Sequence, residues 1–168
     1  MSQHLVLVGM MGSGKTSVGT EVAERLGRAF LDSDDQVEAR TGRTVREIFE
    51  SDGEPAFRAL EAEALTEALS RREPAVIAAA GGVVLDAGNR RQLKEAATVV
   101  WLRADPAVLA TRVGSSDHRP LLGDDPLGVL ERLEREREPL YREVADGVVD
   151  VGACSVDQAV ESVVAMLS

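Results

Sequence analysis

Leu5-Val6-Leu7-Val8-Gly9-Met10-Met11-Gly12-Ser13-Gly14-Lys15-Thr16 is a short apolar run that passes directly into a GxxxxGK[ST] loop. The run is apolar at every position, as a strand covered on both faces requires. The glycines allow successive backbone N–H groups to turn inward around an anion, and the helix that follows offers its positive N-terminus to the same point. The stretch therefore predicts a strand, a phosphate-cradling loop and a helix. Lys15 is then placed to neutralise phosphate charge and Thr16 to ligate Mg²⁺ beside a nucleoside triphosphate such as ATP.

Working outward, short apolar runs alternate with helical patterns and no internal repeat or linker interrupts them. Strands are expected over residues 4–9, 29–32, 75–79, 98–102 and 148–151, with helical crossovers between them. That pattern implies one three-layer α/β/α domain over residues 1–168 built on a five-stranded parallel sheet. The first helix should bury Val18, Val22 and Leu26 and stop at Gly27. Thr44-Val45-Arg46-Glu47 reads as a capping box. Pro55 opens a helix with Phe57, Leu60, Ala64 and Ala68 inward, and the last helix buries Val156, Ala159, Val160, Val163 and Leu167.

Composition narrows the partners. A net charge of −10 argues against nucleic acid and anionic membranes. An anionic substrate must then be met by a local cationic pocket. No stretch approaches the length of a membrane span. The N-terminus enters a strand almost at once, which leaves no room for a signal peptide, so a cytoplasmic location is expected. The single cysteine, Cys154, excludes an internal disulfide and suits a small buried or loop residue.

Beyond the loop, Leu31-Asp32-Ser33-Asp34 closes the second strand, at the sheet edge where open α/β folds place ligand-binding groups. On extended backbone, carboxylates at i and i+2 face the same way. One can then serve a metal and the other an acceptor hydroxyl, although Asp34, just before a helix, also suits an N-cap. Ala80-Gly81-Gly82 follows the third strand, where paired glycines permit close ligand approach. Residues 114–125, with Asp117-His118-Arg119-Pro120 at their centre, have glycines near both ends and no apolar period. They read as a mobile lid that brings Arg119 onto a transferring phosphoryl group. On the helix 126–144, Leu130, Leu133, Leu140 and Val144 mark an inward stripe, and Arg137 falls on it where an apolar residue is expected. A charge there needs a partner, and Pro139 gives the helix a reason to lean toward a cleft. Arg58 has two readings, a pocket cation or a surface partner of Glu54 or Glu61.

Taken together, residues 9–16, Asp32-Ser33-Asp34, Phe57-Arg58-Ala59-Leu60-Glu61, Ala80-Gly81-Gly82, Arg119-Pro120-Leu121-Leu122 and Arg137-Glu138-Pro139-Leu140-Tyr141 resemble the shikimate kinase family, in order and over essentially the whole chain. The resemblance implies a sheet order of 2-3-1-4-5 and transfer of the γ-phosphoryl group of ATP to the 3-hydroxyl of shikimate, in the chorismate route to aromatic amino acids. It implies that Gly12, Ser13, Gly14, Lys15, Thr16, Ser17, Arg112 and Arg119 hold the nucleotide, and that Thr16 and Asp32 serve Mg²⁺. It assigns Asp34, Arg58, Gly81, Gly82 and Arg137 to the substrate, with a substrate-binding region at roughly residues 32–61. Asp34, Lys15 and Arg119 would act in catalysis, and the family's usual state is a monomer. Ala80 stands where the family usually has a first glycine, so its Cβ either crowds the pocket or is harmless at negative φ. The adenine-side loop Val151-Gly152-Ala153-Cys154-Ser155 lacks a proline often found there. A gluconate-type sugar-acid kinase shares loop and fold but not the Phe-Arg-x-x-Glu and Arg-Pro-Leu-Leu pair. A nucleoside monophosphate kinase would need a longer lid. Against a non-catalytic nucleotide-binding homologue stand Lys15, Thr16, Asp32, Asp34 and Arg119, all intact.

Overall fold

β1 (His4–Val8) is buried at all five positions, so helices must cover the sheet on both faces at its centre. The computed structural model describes residues 3–113 and 125–167. β1 is flanked by β3 (Ala75–Ala78) and β4 (Ala97–Arg103), with β2 (Ala29–Asp32) and β5 (Gly147–Asp150) at the edges. The order is β2-β3-β1-β4-β5 and every pairing is parallel. Leu5 lies opposite Val76 and Thr98, and Leu7 opposite Ala78 and Val100. This register carries all five strand C-termini to one edge.

The crossovers are α1 (Lys15–Leu26), α2 (Ser33–Thr41), α3 (Val45–Asp52), α4 (Glu54–Leu69), α5 (Ala87–Ala96), α6 (Pro106–Val113) and α7 (Pro126–Val144), and α8 (Val156–Met166) follows the last strand. Helix α1 packs on α8, and α5 packs on α4 and α7. α1 buries Val18 and Val22 as the spacing predicts and ends at Gly27, whose N–H bonds the last carbonyls. Each fully buried Val or Leu adds about 1.5–3 kcal/mol to folding. The expected inward positions Leu26, Leu60, Leu140 and Leu167 are only partly buried, and Val156 is exposed. The physical reason differs with position. Leu26 and Val156 sit at helix ends, where the buried stripe runs out, while Leu60 leans on a second, smaller cluster of Val37, Ile48, Phe57 and Ala64. That cluster roofs α2 and α3 over α4, beside the sheet edge.

Caps set the helix starts. Thr44 accepts from the Glu47 N–H at the start of α3, while Val45 N–H is taken by Glu38. The full reciprocal box forms at Ser155 and Gln158. α7 runs on through Pro139 to Val144, and Arg137 is turned inward between Leu133 and Tyr141.

Candidate active site

A cavity of about 710 Å³ opens along the C-terminal edge of the sheet. Its floor is the loop after β1. Gly12 and Gly14 hold φ of 83° and 91°, left-handed backbone that a side chain would strain, and this winding turns the loop around the start of α1. Lys15 Nζ donates to the carbonyls of Gly9 at 2.6 Å and Met10 at 3.1 Å, folded across the loop. Ser13 Oγ is buried with no hydrogen-bond partner, and Ser17 lies at the mouth of the same cavity.

Asp32 and Asp34 both line the cavity, by a route the extended-strand expectation did not contain. α2 begins at Ser33, so only Asp32 is on extended backbone. Asp32, not Asp34, is the N-cap: its Oδ1 accepts from the N–H groups of Asp34 at 2.9 Å and Asp35 at 3.2 Å. Its Oδ2 accepts from Thr16 Oγ1 at 3.2 Å, which joins the second strand to the phosphate loop. Asp34 stands in the first turn of α2. Burial, and then the charge of Asp32, push its carboxyl up to about 6 against the opposing pull of Lys15. Ser33, buried between them, accepts the Ala80 N–H on its Oγ and ties this segment to the end of β3.

Arg58 pairs with both glutamates and also lines the cavity. It donates to Glu54 at 3.1–3.2 Å and to Glu61 at 3.0 Å, while its guanidinium lines the cavity beside Gly82. Glu61 is not the surface partner that helix spacing suggests: it is 1% exposed. Burial pushes its carboxyl up to about 7 despite the Arg58 pair. Arg137 is 3% exposed, and its Nε has no hydrogen-bond partner. Its Nη1 lies 3.3 Å from where a Cβ on Gly81 would sit, and the corresponding distance from Gly82 to Arg58 Nη1 is 2.2 Å. Glycines at 81 and 82 therefore let both arginines close on the strand end. Ala80 has no left-handed strain, since every described residue with positive φ is a glycine.

At the other end, Arg112 donates to Val151 O at 2.8 Å and Gly12 O at 3.4 Å, bridging the phosphate loop and the loop after β5. Cys154 lines this end, with its thiol donating to Asp150 O. Arg119, His118 and the expected lid lie outside the described residues, apart from Asp125, which caps α7. Among the described residues no three His, Cys, Asp or Glu side chains are placed to hold a metal. The oxygen pair of Thr16 and Asp32 suits Mg²⁺ all the same, since that ion takes few protein ligands and completes its shell with water and phosphate.

Sequence reasoning gave no separate role to Ser33 or Tyr141 and placed Glu61 only as a surface partner of Arg58. The Tyr141 hydroxyl donates to Gly81 O at 2.6 Å, and burial pushes the phenol up to about 12. The signal for Glu61 was its place three residues after Arg58. For Tyr141 it was an aromatic four residues after an inward arginine.

A parallel sheet in this order, with a phosphate loop after its central strand and carboxylates on the next strand end, defines a P-loop kinase. Comparison with known proteins agrees. A family model described as shikimate kinase matches residues 11–168. A shikimate kinase of Burkholderia thailandensis is 47% identical over 165 residues, covering 98% of this chain and 89% of the relative. The solved structure of the Acinetobacter baumannii shikimate kinase in complex with shikimate superposes with a TM-score of 0.95 at 38% identity, covering 98% and 92%. A gluconokinase from Sinorhizobium meliloti reaches 0.58 at 23% identity, covering 98% and 91%, a likeness of fold alone. The chain belongs to the shikimate kinase family.

Proposed function

We propose that this chain transfers the γ-phosphoryl group of ATP to the 3-hydroxyl of shikimate, giving shikimate 3-phosphate and ADP in chorismate synthesis. The observation that carries the reading is Arg137. A guanidinium almost wholly out of water, with one nitrogen unpartnered, faces the cavity that also holds the phosphate loop and Asp34. Such a charge is costly unless an anion meets it, and the substrate carboxylate is that anion. Arg58 is its second clamp. The apolar wall of Val45, Phe49 and Phe57 suits a carbocyclic ring.

Asp34 accepts the hydrogen bond of the acceptor hydroxyl and takes its proton as the oxygen bonds to the γ-phosphorus and the bond to ADP breaks. A carboxyl poised at about 6 is mostly ionised at neutral pH yet basic enough to receive that proton. Lys15 and Arg119 neutralise charge on the transferring group, and Gly12, Ser13, Gly14, Thr16 and Ser17 cradle the nucleotide phosphates. Thr16 and Asp32 would hold Mg²⁺, whose contribution is to offset phosphate charge. Arg112 lies along the adenine. The enzyme acts as a cytoplasmic monomer with small-molecule partners, without nucleic acid or membrane. No helix among the described residues is long and apolar enough to cross a membrane.

The test is ADP release from Mg-ATP by the purified chain with shikimate, gluconate or no acceptor. Release that depends on shikimate supports the reading. Release with gluconate alone, or with neither acid, overturns it.

A further inference from the structure

Tyr141 is 1% exposed and sits between three groups that matter to the site. Its hydroxyl donates to the Gly81 carbonyl at 2.6 Å, across sixty residues of sequence. A Cβ on Gly81 would stand 3.3 Å from Arg137 Nη1 and 3.6 Å from the Tyr141 hydroxyl, so both groups converge on the same point of the backbone, and the guanidinium charge opposes the burial that raises the phenol. Its ring stacks on Trp101 of β4, centroids 5.6 Å apart and planes 30° from parallel, and the Arg142 guanidinium lies over the same indole. One side chain thus joins α7, the loop after β3 and the central sheet. The Nε of Arg137 has no hydrogen-bond partner.

We infer that Tyr141 is a positioning residue for the substrate carboxylate, holding Arg137 and the Gly81 backbone in one fixed arrangement through its hydroxyl. The inference rests on the shikimate reading above. The aromatic body serves packing, but the hydroxyl is a separate matter. A core that needed only an aromatic ring here would be served by phenylalanine, and the oxygen is directed at the two groups on either side of the carboxylate pocket. Without it, the Gly81 carbonyl is left unpaired and Arg137 is freed to take other rotamers. The cost falls on substrate binding, since the hydroxyl itself bonds the Gly81 carbonyl and neither Lys15 nor Asp34.

Tyr141→Phe tests the hydroxyl alone. Loss of one positioning hydrogen bond should raise the KM for shikimate by about tenfold, equivalent to about 1.4 kcal/mol. kcat should stay within about twofold and the KM for ATP should not move, whereas a general loosening of the fold would shift all three. A second measurement does not depend on the variant. The chain holds a single tyrosine, so 3-fluorotyrosine labels Tyr141 only, and saturating shikimate should shift its one fluorine resonance. If the wild-type chain turns over no shikimate, the underlying reading fails. If it does, a Tyr141→Phe KM within twofold of wild type, or a fluorine resonance that shikimate leaves unmoved, overturns the role given to Tyr141.

Discussion

Glu61→Gln should make the protein more stable in mild alkali and leave it nearly unchanged in mild acid. The carboxyl is 1% exposed, and burial drives it from its ordinary 4.5 up to about 7, with Arg58 only partly offsetting that loss of water. A folded-state value above the unfolded one means that the native protein binds the proton more tightly. The stabilising contribution is therefore complete below pH 4.5 and lost as pH rises through about 7. Between pH 5 and pH 8 the linkage integral over these two values amounts to about 2 kcal/mol. Glutamine has the shape of the protonated acid and carries no charge at any pH, so it does not undergo this loss. Urea unfolding of both proteins at pH 5 and pH 8 measures the double difference. The wild type should fall relative to the variant by about 2 kcal/mol across that range, or about 4–8 °C in a thermal melt of a chain this size. Parallel stabilities at the two pH values would refute the reasoning, and a wild type that gains on the variant with rising pH would mean that attraction to Arg58 exceeds the cost of burial.

Three further outcomes are expected. Asp34→Asn should lower kcat by about 10²–10⁴ while calorimetric titration finds Mg-ADP bound as before; near-normal turnover would displace Asp34 from the acceptor site. Gly82→Ala places a Cβ 2.2–2.5 Å from the Arg58 guanidinium, the far end of a flexible side chain that must move aside, so it should raise the shikimate KM severalfold while the melting temperature changes little; an unchanged KM would remove Arg58 from the substrate site. Ala80→Gly should leave the shikimate KM unchanged and destabilise by about 0.4–1 kcal/mol through a freer unfolded chain; a severalfold drop in KM would instead show the methyl group crowding the pocket.

The layers and strands were legible because a buried parallel sheet writes itself as repeated apolar runs, and the phosphate loop because its glycine spacing is a backbone requirement. The strand order was not written in periodicity and came with the family resemblance. Arg137 was legible for a local reason, since a charge on an apolar helical stripe is an anomaly within one element. Glu61 was not, because residues at i and i+3 on a helix read equally well as a solvated ion pair. What buries it is tertiary: Glu61 falls on the inward face of α4 with Phe57, Ala64 and Leu65. The aspartates were found with the wrong geometry. Extended backbone was assumed through Asp34, whereas the cap formed by Asp32 starts the helix one residue after the strand.

The chain carries a net charge of −10, yet the proposed reaction brings together two anionic reactants. Distance resolves the conflict. At physiological salt the field of an exposed charge fades over about 8 Å, so the acidic surface has little hold on a ligand already inside the cavity. There the described lining sets four cations, Lys15, Arg58, Arg112 and Arg137, against two carboxylates, Asp32 and Asp34. Each arginine is set by something other than the ligand: Arg58 by Glu54 and Glu61, Arg112 by the Val151 and Gly12 carbonyls, Arg137 by its burial beside Gly81. The cations are held apart before any anion enters, and the buried acid that restrains Arg58 faces inward, where only the pocket feels it. On this argument Glu61 has a cost in stability and a use in binding that come from the same burial. A carboxyl exposed enough to titrate normally would also be free enough to release the arginine it directs.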